Sequence, residues 1–107
     1  MIYSLEQIKD LLVPIAIKYN LKGLWIFGSY ARGEATDKSD IDIIIDYTES
    51  KIHTFIDFAA IGNDFEEVTN KSVDLISTNS LFSQKMQQDD PKFVNKVSKE
   101  MIVIYDI

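Results

Sequence analysis

The chain has 107 residues, 46% hydrophobic and 26% charged, with a formal net charge of −6, a size that suits one domain, 1–107, with a modest core. The acidic balance argues against direct DNA or RNA binding, because polyphosphate backbones are gripped by Lys and Arg. Zero cysteines exclude disulfides and thiolate metal sites; with no 18-residue apolar run and no basic-then-apolar leader, a cytoplasmic protein with no membrane association is expected.

Ser4-Leu5-Glu6-Gln7 is a capping box that opens a helix with apolar positions Leu5, Ile8, Leu12, Ile15 and Tyr19. Pro14 falls inside it and is expected to kink or split it, and Asn20 is its stop. Leu24-Trp25-Ile26-Phe27 then reads as an apolar strand halted by Gly28, which permits a sharp turn and close backbone approach. Ser29 is expected to cap a short helix and to offer its hydroxyl to a phosphate. The unpaired N–H groups of such a helix start favour an anion. Arg32 lies one turn on, and Gly33 closes the turn. The stretch is neither a Walker loop nor a Gly-x-Gly-x-x-Gly dinucleotide fingerprint.

The next run, Asp40-Ile41-Asp42-Ile43-Ile44-Ile45, is short and β-branched, which predicts a buried strand. Alternation puts Asp40 and Asp42 on one face and Ile41 and Ile43 on the other, with the acidic Cα atoms about 6.5 Å apart. Two unit charges about 5 Å apart repel by roughly 3 kcal/mol at an effective dielectric of 20. A strand alone gains nothing from that pair. Carboxylates at this separation can reach two divalent ions about 3.5–4 Å apart.

Residues 51–70 carry Ile52, Phe55, Ile56, Ala59, Ala60, Phe65 and Val68 and read as a helix weakened near Gly62-Asn63. Residues 72–77 read as a strand with one acid, Asp74, among apolar neighbours. Paired beside the first acidic strand it would lie about 4.8 Å away, so Asp74 can face the same ions. A short helix is expected over 81–88. Asp90-Pro91 starts another towards Glu100, with Phe93, Val94 and Val97 on one side, and 101–105 is a final strand. The expected fold is α/β: a small mixed sheet with helices packed on it.

Gly28-Ser29, ten residues, then Asp40-Ile41-Asp42 resembles the Gly-Ser-x10-Asp-x-Asp motif of the DNA polymerase beta-like nucleotidyltransferases. The longer pattern, Gly28-Ser29-Tyr30-Ala31-Arg32-Gly33 with Ser39-Asp40-Ile41-Asp42, is similar to the minimal nucleotidyltransferases (MNT), which include the antitoxins of HEPN/MNT toxin–antitoxin pairs. The resemblance implies that Asp40, Asp42 and Asp74 are the catalytic acids and bind two Mg2+ ions. It implies that Gly28 and Ser29 hold a nucleotide triphosphate, ATP. Arg32 is a further candidate for the nucleotide. The implied reaction moves AMP from ATP onto a hydroxyl, with a tyrosine of a cognate HEPN ribonuclease toxin as acceptor, within a hetero-oligomer. Mn2+ would satisfy the same oxygen ligands. The residues between Gly33 and Asp40 lack the proline common in such proteins, a loop difference that touches no acid.

Two other readings follow from different features. One is transfer to a small-molecule hydroxyl, although relatives with that activity carry an extra acceptor domain. The other is neutralisation of a partner by contact alone, against which three mutually repelling acids speak. The acidic surface could also mask a basic RNA-binding cleft on such a partner. His53 suits a surface or capping place, and Trp25 and Phe27 suit the core. Tyr30 fits base stacking and packing equally; Arg32 could clamp a phosphate or pair with an acid such as Asp40.

Overall fold

The computed structural model describes residues 1–107. Helix α1 (Leu5–Tyr19) starts at the expected capping box, Ser4 accepting from the Gln7 N–H, and stops at Asn20 in the left-handed region. Strand β1 (Gly23–Phe27) runs straight into α2 (Gly28–Arg32). After a loop comes β2 (Ile41–Asp46), then α3 (Phe55–Thr69) and β3 (Val73–Ser77). Three short helices, α4 (Thr78–Leu81), α5 (Gln84–Asp89) and α6 (Pro91–Glu100), lead to β4 (Ile102–Asp106).

The four strands form one mixed sheet in the order β3-β2-β1-β4. β1 is antiparallel to both β2 and β4, whereas β2 and β3 are parallel and joined by the α3 crossover. Helices cover both faces. On one, Ile41, Ile43 and Ile45 of β2 pack with Ile8, Leu12 and Ala16 of α1 and Ile61 and Phe65 of α3. On the other, Phe27 and Ile44 meet Leu81, Val94 and Val97. A strand buried on both faces reads as a continuous apolar run, which is why residues 41–45 carry almost no polar residue except Asp42. Asp42 shares the α6 face with Ile44. The expected mixed α/β sheet is what forms.

Several local expectations need correction. Pro14 does not split α1: the proline is exposed, and the Asp10 carbonyl that it leaves unpaired is on a solvent-facing residue. Along α1 the buried positions are Ile8, Leu12 and Ala16, whereas Leu5 is exposed and Ile15 only partly covered. Helix α3 runs unbroken through Gly62-Asn63, because Gly62 faces β3: a Cβ there would meet Leu75 Cδ2 at 3.6 Å. It begins at Phe55, where Thr54 and Asp57 form a second capping box. The single helix expected over 81–88 is two, because Ser83 accepts the Met86 N–H and restarts the helix as an N-cap.

Candidate active site

β1 and β2 are antiparallel neighbours, with Phe27 opposite Asp42. The turn at the end of β1 therefore lies beside the acidic start of β2. Gly28 takes φ +72, and a Cβ built there would overlap the Asp42 carboxylate. Glycine at this position is thus required twice, by backbone and by space. Gly33 has a similar φ of +73, but open space surrounds it. Gly28→Ala should therefore destabilise the protein more than Gly33→Ala. The backbone part costs about 1–2 kcal/mol in either case, and only the first adds the collision. Equal losses in thermal melts of the two variants would contradict this packing.

Ser29 does not cap α2. The helix begins at Gly28 with Phe27 as a cap residue that offers no side-chain hydrogen bond. Glu100 of α6 stands in instead: its Oε1 accepts the Gly28 N–H at 3.3 Å. The Ser29 hydroxyl bonds to no protein group and lines the cleft. Arg32 does not pair with Asp40. Its Nε donates to Glu34 Oε1 at 2.8 Å and its Nη1 to Glu100 Oε2 at 2.9 Å. These two bonds, Glu34 first, raise the guanidinium pKa above its ordinary value.

Asp40 precedes β2, and Asp42 lies two residues on, directly opposite Asp74 in the parallel β2–β3 register. The Asp42 carboxyl is pushed up to about 7. Partial burial is the largest cause. A hydrogen bond shared with Asp74 and the charges of Asp74 and Asp40 add to it, and the nearby Arg32 charge opposes it. Asp40, Asp42, Asp74, Gly28, Ser29 and Arg32 all line one open cleft of about 640 Å³, a volume in the range of small-molecule sites. The three acids, the Gly-Ser pair and Arg32 thus share one cleft, whereas Tyr30 and His53 do not line it.

The carboxylates fit a hard divalent cation by donor type: oxygen only, negatively charged, and uncomfortable without a positive partner. No three His, Cys, Asp or Glu side chains close tightly enough to cage an ion by themselves. Magnesium, in general, is usually held by one or two carboxylates, with substrate phosphates and waters supplying the rest.

Helix α6 supplies a wall that the sequence did not disclose. Phe93, Lys96, Val97 and Glu100 line the cleft. Lys96 has no carboxylate partner, and sequence gave only the i, i+4 spacing of Lys96 and Glu100 as a signal. Tyr30 points elsewhere: it is buried in the main core at 5% exposure and does not line the cleft. Phe27 is core, with an edge-to-face contact to Phe93 at 6.3 Å, and Trp25 packs against the same cluster. His53 is exposed, and its backbone N–H serves the α3 cap by donating to Asp57.

Residues 6–107 match the family model described as polymerase beta, nucleotidyltransferase. A candidate protein adenylyltransferase of Methanocaldococcus jannaschii is 38% identical over 78 residues, spanning 73% of this chain and 82% of the relative. The protein adenylyltransferase MntA of Thermococcus cleftensis is 32% identical over 84 residues, spanning 75% and 83%. Among solved structures, the complex of the tri-AMPylated Shewanella oneidensis HEPN toxin with its MNT antitoxin contains a chain of the same fold. Its TM-score is 0.63 at 15% identity, over 96% of this chain and 73% of that one. With a family match over residues 6–107, these relatives and the paired acids beside a Gly-Ser turn, the chain belongs to the polymerase beta nucleotidyltransferase family.

Proposed function

We propose that this nucleotidyltransferase moves AMP from ATP onto a tyrosine hydroxyl of a cognate HEPN toxin and thereby acts as an antitoxin. The observation that carries the reading is the placement of Asp42 opposite Asp74, with Asp40 two residues away and the Gly28-Ser29 turn across the same cleft. The names of the relatives above agree with it. A protein acceptor also suits the surface. A second, largely apolar cleft shares Leu75 and Ile76 with the first, and beside it Phe55 and Ile56 are 85% and 78% exposed. Contiguous exposed apolar surface of this kind favours association with protein.

In this reading the free N–H groups of the turn, the Ser29 hydroxyl and Arg32 hold the triphosphate, and Asp40, Asp42 and Asp74 hold Mg2+. Bound there, the metal supplies charge neutralisation to the triphosphate and to the departing pyrophosphate. The acceptor oxygen forms a bond to the α-phosphorus while the bond from that phosphorus to the bridging oxygen of the β-phosphate breaks. The hydroxyl proton passes to the Asp74 carboxylate, acting as general base. The acceptor must lie within about 3–3.5 Å of the α-phosphorus for in-line attack. In this reading the partner supplies much of that positioning, in a hetero-oligomer.

ATP labelled separately at the α- and γ-phosphates tests the reaction. With the toxin present, the α-label should become acid-stable on the toxin and the γ-label should leave as pyrophosphate. Transfer of the γ-label would make the protein a kinase and end this proposal.

A further inference from the structure

Glu100, the last residue of α6, has a side chain only 13% exposed although it lines the cleft. Its two oxygens are divided between two groups that border the proposed triphosphate site: the Gly28 N–H at 3.3 Å and Arg32 Nη1 at 2.9 Å. Glu34 holds the Arg32 Nε from the other side at 2.8 Å. A guanidinium has five N–H donors. Two are committed to these carboxylates, so three remain for a ligand, and the group is close enough to Asp42 to oppose the rise in its pKa. An arginine bracketed in this way has already lost the rotamer freedom that anion binding would otherwise cost it. The charge-assisted bonds that hold it are stronger than neutral ones. Two walls of the cleft, α2 and α6, are thereby tied together.

We infer that Glu100 is a positioning residue for the nucleotide: it sets the Gly28-Ser29 turn and holds the Arg32 guanidinium ready for the triphosphate. This role rests on the nucleotidyltransfer reading and deepens it. It opposes the other use of a carboxylate in this place, a stand-in for phosphate that ATP must displace. The two differ in sign, since removing a placeholder tightens nucleotide binding and removing a positioning group weakens it.

The test is calorimetric binding of AMP-PNP with Mg2+ to the full chain, with thermal melts alongside, for wild type, Glu100→Ala, Glu100→Gln, Arg32→Ala and the double variant Glu100→Ala with Arg32→Ala. Glu100→Ala should weaken binding about tenfold, the scale of one charge-assisted hydrogen bond. The double variant should lose less than the product of the two single factors, because Glu100 acts largely through Arg32. Glu100→Gln, which keeps one acceptor, should fall between wild type and Glu100→Ala, and it carries the test should the alanine variant not fold. Unchanged or tighter binding in Glu100→Ala or Glu100→Gln, or losses that multiply fully, would overturn the role while leaving nucleotidyltransfer intact. A folded wild-type protein that binds no AMP-PNP would instead remove the nucleotidyltransfer reading, and this role with it.

Discussion

Replacing Asp40 and Asp42 together with asparagine should abolish adenylate transfer while the protein stays folded. The two substitutions keep side-chain volume and remove charge from the face of β2 that borders the cleft. Metal-assisted charge stabilisation contributes several kcal/mol to a transition state. At about 1.4 kcal/mol per factor of ten, its loss amounts to on the order of a thousandfold or more in rate. The β-ladder should be untouched, because the backbone pairing of β2 with β1 and β3 does not involve these side chains. Transfer measured with α-labelled ATP, with circular dichroism as the folding control, decides it. A folded double variant with full activity would show that the acids do not carry the chemistry.

Asp42→Asn alone should make the metal-free protein more stable at alkaline pH. The Asp42 carboxyl stands at about 7 in the folded chain against an ordinary value of 3.8. The native state therefore keeps a proton that the unfolded chain releases, and stability falls as pH rises between those two values. Above pH 7 the full penalty applies; below 3.8 both states are protonated and it vanishes. A shift of that size would correspond to about 4 kcal/mol at a fully buried site. Asp42 is only partly covered, and solvent screening leaves about 1–2 kcal/mol. For a domain of this length that is roughly 5–10 °C in melting temperature. The gain at pH 8 should shrink by half or more at pH 5. On the proposed reading, in which these acids hold magnesium, the gain should also shrink when magnesium is added at pH 8, because the wild type alone would keep the full ligand set. A melting temperature lowered by Asp42→Asn at pH 8 without metal would mean that Asp42 is paired rather than repelled.

The candidate site is unusually local in sequence. Gly28, Ser29, Asp40 and Asp42 fall within fifteen consecutive positions, and alternation along a strand suffices to put Asp40 and Asp42 on one face. Asp74 was within reach of the same reasoning because a lone acid in an apolar strand stands out. The register that sets it opposite Asp42 is a property of the sheet. Glu100 and Lys96 were not legible. They reach the cleft only because α6 folds back across the end of β1, a contact between residues some seventy positions apart. In the sequence they look like ordinary exposed charges on an amphipathic helix.

Local punctuation misled wherever tertiary surroundings outweighed propensity. Pro14 and Gly62 are helix-weakening residues, yet α1 and α3 pass through them, one where the carbonyl it frees belongs to an exposed residue and the other packed on Leu75. Ser29 has the chemistry of a cap, but α2 already begins at Gly28, so the serine lies inside the first turn and not at its cap. The serine hydroxyl has no protein partner and lines the cleft.

The most direct measurement is the intact mass of a cognate HEPN toxin co-expressed with this protein and with its Asp40→Asn, Asp42→Asn variant. The toxin made beside the wild type should be heavier by one or more adenylates, on tyrosine, and the toxin made beside the variant should not. An unmodified toxin that is nevertheless neutralised by the wild-type protein would mean that contact, and not adenylate transfer, is what this chain provides.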